Sequence, residues 1–351
     1  MLPKGGEVGK SRDAGAHVLA RERDDAALPD LAARTLFCRQ AEESGIDSVL
    51  MSFGYYEPDT LLLAAALGLA TERLRFIVAY RSGLLAPTTF VQQVNTLSAL
   101  VAGRVSLNLV AGDSPEEQGY YGDFLSHDER YERTDEFLQV CKAFWRRDGE
   151  VDFTGRYYRI EKGKLKTPFV SPEGRGAPEI YVAGHSAAVR RLAARQASCW
   201  LCLGDAPEAL EQRIRPVLES GTEIGLRMGV IARPTRGEAL EAAASLISDP
   251  ALRAKEKSFV QGSDSVSNQG TLQLAEESAS DWLGPAIWAG AVPYFGAPAV
   301  SLVGTPDAVA SAILDYQRIG VSQFIFSGWP KLDEMVYFGR EVLPRVRARQ
   351  A

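Results

Sequence analysis

The chain has 351 residues, with 39 Lys and Arg against 45 Asp and Glu, a net charge of -6 and a pI near 5.4. That balance offers no electrostatic footprint for nucleic acid or an anionic membrane. No apolar run reaches the length of a membrane span, and the N-terminus interleaves Lys4, Lys10, Arg12, Arg21 and Arg23 with acids instead of carrying a signal-peptide core, so a cytoplasmic protein is expected. The length suits a single α/β barrel domain, residues 1–351, with insertions near 112–130, 151–178 and 248–298.

In chain order, residues 1–30 come first. KGGEVGKSRDAG lacks the order of a phosphate loop and follows no strand, so it reads as a flexible loop. Asp30 caps a helix running to Ser44 and ended by Gly45; 46–51 is an apolar strand, and Asp59 or Thr60 opens the helix LLLAAALGLA. A strand at 74–79 with a helix at 88–101, then a strand at 105–110 with a helix at 130–145, continue the alternation, which implies parallel strands. DFTGRYYRIEKGKL breaks the rhythm as a hairpin-like insertion. Strand and helix pairs resume at 180–183 and 187–196, 199–203 and 207–220, 225–231 and 237–247, and 323–327 and 332–343.

Between the last two pairs lies 248–298, rich in Gly, Ser, Ala and Gln. Its cluster of Trp282, Trp288, Tyr294 and Phe295 points to an ordered lid rather than a bland surface insertion. The four cysteines are too few and scattered for a disulfide framework, and Cys199 and Cys202, on a short strand, point to opposite faces as inert thiols. With three histidines and no HExxH, no metal site is expected.

The densest polar cluster follows the strand at 105–110, where Val105, Leu107, Leu109 and Val110 flank Asn108. A strand buried on both faces makes its one amide conspicuous, and the loop beyond it carries Asp113, His127, Asp128, Glu129, Arg130 and Tyr131. A second candidate is Gly184-His185-Ser186, between a strand and a helix. There a helix cap by Ser186 and a phosphate site at the helix N-terminus are equally good readings of the residues.

NLVAGDSPEE, FLSHDERYERTDEFLQV and VDFTGRYYRIE, with SVLMSFG, LRFIVAYRSGLLAPT, IYVAGHS, GLRMGVIARPT, LVGTPDAVASAI and SQFIFSGWP in that order, resemble the bacterial luciferase-like flavin-dependent monooxygenases, alkanesulfonate monooxygenase branch. The resemblance covers roughly 46–344. It implies a TIM-like (β/α)8 barrel whose first strand is cut short, Met1–Pro3 supplying only its end, so that a different start or a partner segment should fill the position. It also implies FMN, held by Asn108, His127, Tyr131 and the loop Gly184, His185 and Ser186, and a non-prolyl cis peptide at Ala79 under the flavin ring.

The chain has no GxGxxG fingerprint, which suits a two-component system in which a separate NAD(P)H-dependent flavin reductase delivers reduced FMN. The resemblance further implies a homo-oligomer, dimer or tetramer, and a small-molecule or carrier-bound substrate that receives one oxygen atom from O2. Catalytic candidates are His127, Arg227 and Glu57; Arg227 has as its plainer reading a partner for a nearby carboxylate. Where the sulfonate enzymes carry a cysteine, a histidine, a lid arginine, a tryptophan and a late tyrosine, this chain has Glu57, Gly229, Phe295, Leu203 and Trp329. The substrate is therefore expected not to be a simple alkanesulfonate and to belong to secondary metabolism. It should meet Phe53, Tyr55, Tyr56, Tyr294, Phe295 and Trp329, of which about half should instead pack the barrel mouth. An F420-dependent oxidoreductase and a non-catalytic flavin-binding protein are the alternatives.

Overall fold

The computed structural model describes residues 1–2, 29–55, 57–112, 114–248 and 280–350. In chain order it contains α1 (Leu31–Glu43), β1 (Ser48–Met51), α2 (Thr60–Leu69), β2 (Arg75–Arg81), α3 (Pro87–Leu100), β3 (Val105–Val110), α4 (Pro115–Tyr120) and α5 (His127–Arg146). The hairpin β4 (Val151–Thr154) and β5 (Arg159–Gly163) follows, then β6 (Ile180–Ala183), α6 (Ala187–Gln196), β7 (Cys199–Leu203), α7 (Pro207–Leu218), β8 (Glu223–Ala232) and α8 (Arg236–Leu246). The chain ends with β9 (Trp282–Gly284), β10 (Ile287–Trp288), a short helix Val292–Phe295, β11 (Ser301–Gly304), a helix Pro306–Arg318, β12 (Val321–Ser327) and a helical segment from Lys331.

Local chemistry starts these helices. Asp30, Asp59, Ser126, Ser186, Thr235 and Thr305 each accept a first-turn backbone N–H, and Ser126 with Glu129 completes a reciprocal capping box. That box starts α5 at His127, earlier than the apolar pattern alone indicates. The polar loop before it is not a single loop, because Ser114 caps the short helix α4 inside it.

The strands form one ten-stranded sheet in the order β1-β2-β3-β6-β7-β8, with β12 parallel to β8 and the strands β11-β10-β9 attached to the far end of β8. Strand alternation sorts the side chains. Phe76, Val78, Tyr80, Leu107, Leu109, Trp200 and Cys202 face the helices in the main core. Leu50, Ile77, Tyr181, Cys199, Leu201 and Ile325 meet on the other face as a smaller cluster. One face is covered by helices and the other carries the smaller cluster, the arrangement of a TIM-like α/β fold, although strand pairing does not close the sheet into a ring.

At the seam, β1 and β12 do not pair with each other. The Met1 amino group donates to the Phe326 carbonyl at 3.1 Å and the Leu2 amide to Leu50 at 2.9 Å, so two residues bridge both edges. Beside them is a cavity of about 420 Å³, lined partly by Leu50, Ile325 and Phe326. No helix among the described residues is long and apolar enough to cross a membrane.

The region expected to form a lid is described only from Ser280. There it is fixed to the sheet, with Trp288, Ala289 and Val292 buried; residues 249–279 lie outside the described residues. Beyond that region, between 298 and the last expected strand, the strand β11 and the helix after it, Pro306–Arg318, form a further strand and helix pair that the sequence periodicity did not assign.

Candidate functional site

The inward side of β2 continues Ile77, Ala79, Arg81, and that of β3 is Ser106, Asn108, Val110, so the alternation sets Ala79 and Asn108 just above the apolar floor. They are register partners, and Asn108 is also paired with Tyr181 on β6. Asn108 is buried, and its side-chain oxygen has no hydrogen-bond donor among the described residues. A buried amide oxygen left unsatisfied costs about 1–3 kcal/mol, so this is a place for a ligand donor. The cis peptide expected at Ala79 is not there. The one cis bond among the described residues is Trp329–Pro330.

Gly184, His185 and Ser186 sit between β6 and α6. Gly184 has φ 131°, a conformation that side chains rarely adopt, and a Cβ there would lie 3.0 Å from Val189 and 3.4 Å from the Tyr131 hydroxyl. The bare backbone thus lets Tyr131, one turn into α5, reach the loop. The Ser186 hydroxyl accepts from the Val189 amide at 3.3 Å, so the cap is formed, while its own proton remains available to an anion. Arg190 adds a cation in the first turn of α6, where it donates to the His185 carbonyl at 2.7 Å. Sequence reasoning passed over Arg190; its signal was a basic residue four positions beyond a candidate phosphate loop.

The His185 ring turns to β7. Its Nε2 accepts from the Leu203 amide at 3.1 Å, and burial, helped by Arg213 and Arg190, pushes its pKa down to about 4. The ring is neutral and serves as an acceptor that ties the loop to β7. An unfolded chain protonates this histidine near pH 6.5, whereas the folded chain resists until about 4. Its contribution is therefore complete above the unfolded value and disappears as pH falls toward the folded one. We expect thermal stability to drop by about 2–3 kcal/mol between about pH 7 and about pH 4.5, with a shallower decline in His185→Gln. Equal pH slopes in the two proteins would remove His185 from the account.

His127 opens α5, with Nδ1 2.9 Å from the Asp128 carboxylate and its ring edge-on to Tyr131 at 4.9 Å. Arg227 projects from β8, its register set by Leu203 on one side and Ile325 on the other, and its Nη2 is 3.2 Å from the Met1 sulfur. Glu57 is placed elsewhere. Its buried carboxylate faces Arg34 of α1 at 3.5 Å and accepts from the Ser52 hydroxyl at 3.1 Å. The plainer reading first considered for Arg227, an arginine and carboxylate pair, is realised here.

The aromatic residues divide into groups. Phe53 packs with Tyr80 and Tyr121, while Tyr55, half exposed, meets Tyr120. Tyr294 and Phe295 lie together on the short helix of the insertion. Trp329 covers Gly229: a Cβ on that glycine would lie 3.1 Å from the indole and 3.0 Å from the Ser301 Cβ. Tyr56 lies outside the described residues.

Parallel strands, a helix N-terminus with a serine and an arginine, and an orphaned amide at the same end of the sheet are thus on one face of the molecule. The sequence profile described as luciferase-like monooxygenase matches residues 13–323. The chain belongs to the luciferase-like monooxygenase family.

Solved structures similar to this family member include EDTA monooxygenase from Chelativorans sp. BNC1, at 21% identity and a TM-score of 0.75 over 91% of this chain and 87% of that one. A riboflavin lyase solved with modified FMN and riboflavin is similar at 19% identity and a TM-score of 0.75, covering 91% and 85%. An F420-dependent secondary alcohol dehydrogenase is similar at 19% identity and 0.67, covering 91% and 96%. At these identities the likeness establishes the barrel fold that the family shares.

Proposed function

We propose that this luciferase-like family member is a monooxygenase that takes reduced FMN from a separate flavin reductase and transfers one oxygen atom of O2 to an organic substrate other than a simple alkanesulfonate. The observation that carries the reading is the convergence of Tyr131, Ser186 and Arg190 on the Gly184 loop, with the unsatisfied Asn108 oxygen inside the barrel. These groups fit FMN: a phosphate at the α6 amides, Ser186 and Arg190, and a hydroxyl or ring N–H toward Asn108. When bound, reduced FMN supplies the two electrons that let one oxygen atom enter the substrate while the other leaves as water.

The protein's own part is position and electrostatics. Arg227, charged at any working pH, faces the barrel interior where negative charge develops on oxygen, and the apolar floor of Leu50, Ile77, Leu201 and Ile325 limits water there. Around Gly229, where the sulfonate enzymes carry a histidine, the room is taken up by the Trp329 indole and Ser301 instead of a cationic side chain. That supports a substrate other than a short sulfonate.

Tyr131→Phe is expected to weaken FMN binding by about 1–2 kcal/mol, read by fluorescence titration, because one hydrogen bond to a charged group is removed. Unchanged affinity would return Tyr131 to packing. The function itself is tested by mixing the protein with reduced FMN and oxygen. A transient absorbance absent from both free FMN states, with product oxygen drawn from 18O2, supports the monooxygenase. Tight binding of F420 with no affinity for FMN would overturn it in favour of a deazaflavin enzyme. FMN binding without any effect on reoxidation would indicate a non-catalytic flavin protein.

A further inference from the structure

The edges of β1 and β12 face each other across a gap one strand wide. Met1 and Leu2 show that width, because they donate in turn to the Phe326 carbonyl on one side and the Leu50 carbonyl on the other, at 3.1 and 2.9 Å. Peptide groups along a parallel strand point alternately to its two neighbours. On β1 the Asp47 carbonyl accepts from the Arg75 amide of β2, so Ser48 and Leu50 direct their peptide groups into the gap. On β12 Phe326 does the same, and Phe324, two positions before it, follows. Among the described residues only Met1 and Leu2 supply backbone hydrogen bonds across the gap.

Beside these two residues, toward Asp47 and Ser322, the gap continues as the cavity of about 420 Å³. Leu50, Ile77 and Ile325 line it from the inner cluster, and Phe37, Phe324 and Phe338 from the helix layer. Phe324 and Phe326 stack at 5.7 Å with planes 11° apart and are only half-buried. A strand placed here would meet apolar side chains on both faces. The stretch Ser48 to Leu50 sets its length at about 7 Å, with about 3.3 Å per residue. Every strand among the described residues already pairs within a sheet, so a second copy would have to give up a strand to supply one. We propose that the gap between β1 and β12 is a docking site for a short extended apolar segment of a partner polypeptide, which adds as a parallel strand and bonds to Ser48 and Phe324. Its occupation bears on the candidate site, because Met1, at the end of the gap, meets Arg227.

The test titrates acetyl-Lys-Lys-Val-Ile-Val-amide into the protein by calorimetry. Two controls run beside it: the same peptide N-methylated at its isoleucine, which keeps the side chains but loses one donor, and dodecanoate, an apolar chain without peptide groups. The unmodified peptide is expected to bind about tenfold more tightly than the N-methylated one, as one backbone hydrogen bond provides, and to raise the melting temperature. Ser48→Pro removes the amide that β1 aims into the gap and spares the pairing with β2, so it should weaken peptide binding about tenfold and leave FMN affinity unchanged. If that variant fails to fold, the comparison of the two peptides on the unaltered protein still decides. Equal binding of both peptides, no binding of either, or tighter binding of dodecanoate overturns the proposal. Self-association of the protein that the peptide disperses also overturns it, since the occupant would then be a second copy.

Discussion

Glu57→Gln is expected to destabilise the fold by about 3 kcal/mol, because it leaves the Arg34 guanidinium buried without its counter-charge. Both side chains are nearly inaccessible, at 3% and 5% exposure, so water cannot take over the role of the missing carboxylate. A surface pair with the same separation would contribute about 1 kcal/mol or less. Urea unfolding measures the loss directly. The double variant Arg34→Met with Glu57→Leu should recover most of it, since an apolar pair of similar volume removes both desolvation costs. A Glu57→Gln protein as stable as the parent but slow in turnover would return the carboxylate to the chemistry, where the sequence alone had placed it.

Gly184→Val is expected to abolish measurable FMN binding at micromolar concentrations and to lower stability by about 2–3 kcal/mol. Two effects add. The backbone at φ 131° is strained for any residue with a Cβ, and a branched one is worst. The added carbon would also lie 3.0 Å from Val189 and 3.4 Å from the Tyr131 hydroxyl, so either α6 shifts or Tyr131 is displaced from the loop. A shift of α6 moves the amides, Ser186 and Arg190 together, and all three belong to the proposed phosphate site. Gly184→Ala should show a smaller loss in the same direction. Normal FMN affinity in both variants, measured beside thermal melting, would show that the loop does not meet the cofactor.

Some of this protein is written in short-range chemistry. Strand β3 lies where its apolar run places it, at Val105–Val110, and the alternation along it assigns Asn108 to the inside without reference to any other residue. The caps at Asp30, Asp59 and Ser186 are equally local, because a side-chain oxygen reaches amides only two or three positions away. Even α5 started earlier than its apolar pattern for a local reason, the Ser126 and Glu129 capping box, whose signal was present in the sequence.

Partners that come from distant segments were not legible. Glu57 read as a free anion near the mouth because nothing local shows that Arg34, on the preceding helix, turns toward it. Gly229 read as a lost histidine, whereas Trp329 and Ser301 fill its space from segments far along the chain. Arg81 was passed over within a strand, since its partners Phe53, Glu117 and Tyr121 come from the segment after β1 and from α4 with its C-cap. The sequence by itself determined most of the parallel strands with their helices, though not α4 or β11, and which way the residues of those strands face, because these depend on backbone geometry and neighbours within a few positions. Only the tertiary structure decided which buried charges neutralise each other and which donors remain for a ligand, because that depends on distances between side chains whose separation along the chain carries no information about their separation in space.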